Sequence, residues 1–258
     1  MKARRTLHDR LSAQQALIGL LQAHPSPTFA EMAGMCGYDF LILDDEHGVF
    51  SARDYLQTLQ ALACIDVAVF VRLSGHDTQT VGRYLDMGAH GVIVPNVSTA
   101  EQASAFVRAM HYPPLGTRGF GASVHRGARY GLDIAAHLKA PRAPAALIVM
   151  IESKLGVANV DEILSIDGVD GAFIGPSDLT ASLGCPGDFS NPVYAEAIAR
   201  IEQVASAQGK ILGTVPHPAY PMETLLARGH RLLIMGADIS LIREAMITAV
   251  AKAKSWLD

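Results

Sequence analysis

Short apolar runs alternate with amphipathic stretches along the chain, and the alternation repeats eight times. The apolar runs are ALIGLL (16–21), FLIL (40–43), AVFVRL (68–73), GVIVPNV (91–97), AALIVMIE (145–152), GAFIG (171–175), ILGTV (211–215) and RLLIMG (231–236). Each is followed by apolar positions at helical spacing, from PTFAEMAGMC after the first run to ISLIREAMITAVAKAKSWL after the last. Strands that are apolar along their whole length are buried on both faces, which is the mark of a parallel sheet covered by helices. Eight such units predict an α/β fold, a TIM barrel, with residues 1–258 forming one domain. An open doubly wound sheet is the alternative, and no GxGxxG opens a helix after the first strand to support it.

One segment breaks the rhythm. Residues 112–143, YPPLGTRGFGASVHRGARYGLDIAAHLKAPRA, separate the fourth and fifth predicted strands. A connection of that length is usually functional. Its Gly and Arg content predicts a loop near the barrel mouth that receives an anion.

Bulk composition narrows the function classes. The chain carries a net charge of −4 and no Lys/Arg cluster able to neutralise a row of phosphates, which argues against nucleic acid. No apolar stretch is long enough to span a bilayer. The basic start, MKARRTLHDRL, lacks the apolar core and small-residue cleavage site of a signal peptide. The three cysteines, Cys36, Cys64 and Cys185, form neither a zinc pattern nor a disulfide framework. The expectation is a cytoplasmic protein without a membrane or nucleic-acid partner.

In a TIM barrel the chemistry sits at the C-terminal ends of the strands. The second strand empties into Asp44, Asp45, Glu46 and His47, three carboxylates and an imidazole with no basic residue among them. The third strand ends in Arg72, the fifth in Glu152, and the sixth runs into Gly175, Pro176, Ser177 and Asp178. Carboxylates after apolar runs are costly unless paired or metal-bound, and two of them with open positions suit Mg²⁺ or Mn²⁺. Glu152 and Asp178 are therefore the candidate metal ligands, with salt-bridge partners as their bland reading. His47 can act as a general base, with Asp44 fixing its ring. Arg72 can grip a substrate carboxylate by its fork, or simply neutralise Asp44 or Asp45. Asp86, near a helix end, reads as a cap. Asp45 and Glu46 read as solvated or capping, with Ser51 the better cap. Met150 reads as core, and His217 stays undecided.

DDEHG, VRL, LDMGAHGVIVPNVSTAEQA, YPPLGTRGFG, VMIES and FIGPSDL, in this order from about Pro25 to Asp238, resemble the HpcH/HpaI family of metal-dependent (class II) pyruvate aldolases. The resemblance implies a TIM barrel whose last helix is exchanged with a neighbouring subunit, commonly in a hexamer built as a trimer of dimers. It implies a divalent metal, Mg²⁺ or Mn²⁺ with Co²⁺ a further candidate, held by Glu152 and Asp178. It makes His47 the catalytic base, Arg72 the group that stabilises the transition state, Asp86 the residue that raises the basicity of His47, and Ser177 a contact to the keto acid. The implied reaction is reversible cleavage of 4-hydroxy-2-oxo acids to pyruvate and an aldehyde. No Schiff-base lysine is needed, and none of the eight apolar runs contains a Lys.

The chain departs from the family at one point. Relatives carry a Gln two residues before the metal-binding Glu, and this chain has Met150, a side chain that donates no hydrogen bond. The substrate contact at Met150 is thereby altered, and looser discrimination among aldehydes is expected. Residues 116–130 are expected to line the aldehyde pocket, from the same or a neighbouring subunit. Arg118 there either meets an acidic aldehyde tail or anchors the loop. Oxaloacetate decarboxylation and citrate-lyase-like cleavage are the alternative chemistries, and a non-catalytic barrel scaffold is the third reading.

Overall fold

The computed structural model describes Arg10 and residues 15–132, 134–139 and 145–257. Most of the basic N-terminal stretch and part of the 112–143 segment lie outside these residues. The strands are β1 (Leu17–Gln22), β2 (Phe40–Asp44), β3 (Ala68–Arg72), β4 (Gly91–Val94), β5 (Ala146–Ile151), β6 (Gly171–Ile174), β7 (Ile211–Thr214) and β8 (His230–Ala237). All eight pair in parallel with their chain neighbours, and β8 closes on β1. The fold is a TIM barrel, as the alternation predicts, and its strands contain no Lys.

The period-2 geometry of the strands splits their side chains into two cores. Phe40, Ile42, Phe70, Ile93, Ile148, Met150, Phe173, Leu232 and Ile234 point inward and fill the barrel. Leu41, Leu43, Val69, Val71, Val92, Val94, Leu147, Val149 and Ile151 belong to the outer core beneath the helices. Gly19 is needed inside, because a Cβ there would sit 2.1 Å from the Phe40 ring. The inward parity continues one step past the apolar residues, through 40–42–44, 68–70–72 and 148–150–152. It therefore carries Asp44, Arg72 and Glu152 toward the mouth.

The helices begin where the sequence supplies caps. Ser26 caps α1 (Pro27–Met35), and Ser51 with Asp54 forms a capping box on α2 (Ala52–Ala61), as Ser51 was expected to do. α3 (Gln79–Met87) ends at Gly88 in the left-handed conformation. Thr99 and Gln102 box the start of α4 (Ala100–Met110). The remaining helices are α5 (Ile134–Lys139), α6 (Lys154–Ala158), α7 (Val160–Ser165), α8 (Pro176–Ser182), α9 (Pro192–Ala207), α10 (Met222–Ala227) and α11 (Asp238–Lys254). α11 leaves Ile242, Met246, Ile247 and Val250 exposed, and Asp238 is its one buried residue. Among the described residues no helix is long and apolar enough to cross a membrane.

The described part of the 112–143 segment is not at the mouth. It leaves the end of α4 and enters the start of β5, and an α-to-β connection lies at the N-terminal face of the barrel. Arg126 confirms the placement by donating to the carbonyls of Met87 and Leu59, in the last turns of α3 and α2. The expectation of a mouth loop receiving an anion is corrected by this topology.

Candidate active site

A cavity of about 320 Å³ opens at the C-terminal ends of the strands. Its walls are apolar, with Leu21, Ile42, Ile93, Met150, Phe173, Val215 and Ile234 among them. Its polar groups include Arg72, Ser177, Asp178 and Ser240. Among the described residues that line it, Arg72 alone is cationic.

Glu152 lies at this mouth, just past the end of β5, and is almost fully buried. Its Oε1 accepts the Asn96 backbone N–H at 2.7 Å, while Oε2 is buried with no hydrogen-bond partner. Asn96 donates from a left-handed conformation (φ 49°), which Asn tolerates better than most residues. On the other side a Cβ on Gly175 would fall 2.2 Å from Glu152 Oε2, so a larger residue there would push that oxygen aside. Burial pushes the Glu152 carboxyl up to about 7; the Asn96 N–H works against that shift, and the nearby charges of Asp178 and Glu46 reinforce it. An orphaned, desolvated carboxylate oxygen held in a glycine cradle fits a cation ligand. Asp178, in the first turn of α8, is exposed and lines the same cavity. Among the described residues no group of three or more His, Cys, Asp or Glu is arranged to hold a metal. A divalent ion held here would thus complete its shell with water and substrate oxygens.

Arg72 is clamped. Its Nε and Nη2 donate to Asp44 Oδ1 and Oδ2, both at 2.8 Å. The β2–β3 register sets these residues side by side, Asp44 opposite Arg72. Burial alone would raise the Asp44 carboxyl, but the hydrogen bonds and charge of Arg72 outweigh it and hold it below its usual range. Burial pulls the guanidinium down, and Asp44 more than reverses that. The expectation that Asp44 fixes the His47 ring is corrected: both its oxygens serve Arg72, and Oδ1 also accepts the Glu46 N–H at 3.1 Å. The carboxylate beside His47 is Glu46, whose Oε2 lies 3.9 Å from His47 Nε2 and 3.2 Å from Arg72 Nη1. Burial raises the Glu46 carboxyl, against the pull of Arg72 and His47. His47 itself stands on the exposed rim.

Glu46 is the site residue that sequence reasoning passed over. Its signal was the imbalance in DDEHG, where an arginine with one edge occupied by Asp44 still offers another. Asp45 is neither solvated nor a cap. It accepts from the hydroxyls of Tyr55 at 2.9 Å and Tyr84 at 2.7 Å, tying α2 to α3.

The structure separates two other residues from the mouth. Asp86 sits in the last turn of α3, at the opposite face of the barrel, where it pairs with Arg118 Nη2 (2.5 Å) and faces His125 Nε2 (3.4 Å). It neither caps the next segment nor reaches His47 of its own chain. Arg118 is buried, with its guanidinium 4.8 Å from the Tyr112 ring centroid. It anchors the loop; the acidic-tail reading is corrected within the chain. His217, undecided from sequence, packs 4.3 Å from the Phe189 ring, and burial lowers its pKa. Asp238 accepts from the N–H groups of Ala23 and His24 and is structural.

Comparison with known proteins agrees with this arrangement. The model of the HpcH/HpaI aldolase/citrate lyase family matches residues 17–245. A 2-keto-3-deoxy-L-rhamnonate aldolase of Salmonella gallinarum is 37% identical over 238 residues, 92% of this chain and 89% of that one. A crystal structure of an HpcH/HpaI aldolase/citrate lyase family protein from Burkholderia cenocepacia superposes with a TM-score of 0.90 at 32% identity, covering 96% of this chain and 98% of that one. The crystal structure of the citrate synthase SbnG superposes at 0.85 with 26% identity, covering 97% and 98%.

Proposed function

The chain belongs to the HpcH/HpaI aldolase/citrate lyase family and is a carbon–carbon lyase of the aldolase type, and from that premise we propose that it cleaves 4-hydroxy-2-oxo acids reversibly to pyruvate and a small, neutral aldehyde. The observation that carries this reading is the buried Glu152 oxygen without a partner, set against Gly175 in the wall of the cavity that Arg72 and Asp178 line. Four carboxylates, Asp44, Glu46, Glu152 and Asp178, surround one guanidinium, an imbalance that would repel an anionic keto acid. Glu152 and Asp178 would hold a divalent cation (Mg²⁺ or Mn²⁺, with Co²⁺ a further candidate), which would supply a Lewis acid for the keto-acid oxygens.

The chain's own residues perform the rest. Arg72 places its cation where negative charge develops as the C3–C4 bond breaks and an enolate forms. His47, on the open rim, takes the C4 hydroxyl proton, directly or through a water. Ser177 faces the keto acid, and Met150 and Phe173 wall the pocket without offering a donor. A neutral aldehyde suits those apolar walls, and within one chain Arg118 is spent on the opposite face. Such an aldehyde also suits relatives named for a 2-keto-3-deoxy sugar acid, which carries its first hydroxyl at C4.

The exposed apolar residues of α11 support an oligomer in which that helix is covered by another subunit. Asp86 can act on His47 only across such a contact, because the two lie at opposite faces of one barrel.

The test is pyruvate release from 2-keto-3-deoxy-L-rhamnonate and other 4-hydroxy-2-oxo acids, after EDTA and after metal is restored. Full turnover in EDTA overturns the metal assignment. Decarboxylation of oxaloacetate with no aldol cleavage moves the protein to the alternative keto-acid chemistry, which the likeness to a citrate synthase keeps as the second reading.

A further inference from the structure

Arg72 presents three nitrogens, and the structure accounts for each. Nε and Nη2 form a two-point fork with Asp44, which is 1% exposed and fixed by the strand register. The edge left for a ligand is the one formed by Nη1 and the second proton of Nη2. Glu46 Oε2 already stands beside Nη1, at 3.2 Å. The two carboxylates differ in how firmly they are held. Glu46 is 22% exposed, makes a longer contact than Asp44, and reaches Arg72 through a flexible side chain. It has a second partner within reach, since Nε2 of the exposed His47 ring is 3.9 Å away. Its other charged neighbours, Asp44 and Asp178, repel it.

We propose that Glu46 is a positioning residue that stands in for the substrate's anionic group on Arg72 in the empty site and is displaced from it when the keto acid enters. This rests on Arg72 being the anion-binding group of the proposed aldolase. Glu46 thereby sets a threshold for entry. An anion with a single anchor must break the Arg72–Glu46 contact with nothing else to offset the loss. A keto acid offers further contacts in the cavity and displaces Glu46, which turns toward His47. The residue thus raises the affinity that any anion needs to occupy Arg72, which a keto acid with further contacts supplies, while Asp44 holds the guanidinium in place throughout.

The experiment compares wild type, Glu46→Gln and Glu46→Asp, all loaded with Mn²⁺, by calorimetric binding of oxamate (a pyruvate isostere) and of acetate, with kcat and KM measured beside them. The expected result for Glu46→Gln is at least 10-fold tighter binding of acetate and of oxamate, and a lower KM. Glu46→Asp, which keeps the charge but loses reach, should fall between. A structural lesion would weaken both ligands and raise KM. Unchanged or weaker acetate binding in Glu46→Gln overturns the inference while leaving the aldolase reading intact. Wild type that fails to bind oxamate at all overturns both.

Discussion

Replacing Glu152 by Gln should make the metal-free protein more stable at alkaline pH while removing its activity. The Glu152 carboxyl titrates near 7 in the fold against an ordinary 4.5, and burial is the main cause. A raised folded-state pKa means that the folded protein holds this proton more tightly than the unfolded chain does. The stability from that proton is complete below pH 4.5 and is lost as the pH rises through 7. Linkage puts the loss at about 1.5 kcal/mol at pH 5.5 and about 3 kcal/mol at pH 8. Gln abolishes the titration and keeps the Asn96 N–H acceptor, but it places an amide NH₂ where Oε2 has no donor or acceptor facing it, which costs about 1 kcal/mol. The variant should therefore match wild type at pH 5.5 and exceed it by about 2 kcal/mol at pH 8.

Urea unfolding in EDTA at the two pH values measures this difference directly. A Mn²⁺ arm completes the design: wild type should gain more stability from the ion at pH 8 than at pH 5.5, because protons compete for Glu152, and Glu152→Gln should gain little at either. If Glu152→Gln is no more stable than wild type at pH 8, or if the gap does not widen between the two pH values, the ionised Glu152 is not the strained group described above. Its role as a cation ligand would then lose its physical basis.

Arg72→Lys should lower kcat/KM by about 100-fold with the fold intact by circular dichroism, because an ammonium cannot reproduce the two-point hold of Asp44 and still face the cavity. Met150→Gln should change the relative kcat/KM values across a panel of aldehydes, and the buried amide should lower stability by about 1 kcal/mol unless substrate satisfies it; unchanged ratios would separate Met150 from acceptor choice. Ile242→Asp with Met246→Asp should shift the protein to a smaller species in sedimentation, since among the described residues of its own chain nothing covers these side chains of α11. Mixing inactive His47→Ala and Asp86→Ala proteins under subunit exchange should recover turnover, and failure to do so would argue against a site shared between subunits.

The architecture was legible because strand parity and strand order are both sequence properties. Counting in twos from Phe40, Ala68 and Ile148 places Asp44, Arg72 and Glu152 at one mouth without any knowledge of packing. Partner choice at that mouth is a different kind of fact. Asp44 and His47 are near neighbours in the chain, and that nearness suggested the pairing; the β2–β3 register decided otherwise by setting Asp44 beside an arginine that donates to both its oxygens. Register between strands depends on side chains drawn from both, and one strand read alone does not contain it. The same displacement freed Glu46 for the outer edge of Arg72, so the misassigned pair and the overlooked residue have a single cause.

The misplaced loop has a different origin. Its Gly and Arg residues were read as an anion site because composition was weighed before connectivity. Yet the order of elements already held the answer: a segment that follows a helix and precedes a strand must lie at the face where strands begin. There Arg118 and Arg126 bind the protein's own groups, the Asp86 carboxylate and the terminal carbonyls of two helices. Buried arginines serve these internal acceptors as well as any ligand, so the same residue type at the two ends of one barrel carries opposite meanings. What distinguishes Arg72 is its position: of the described arginines it alone lines the cavity at the end where strands finish, with carboxylates it must share.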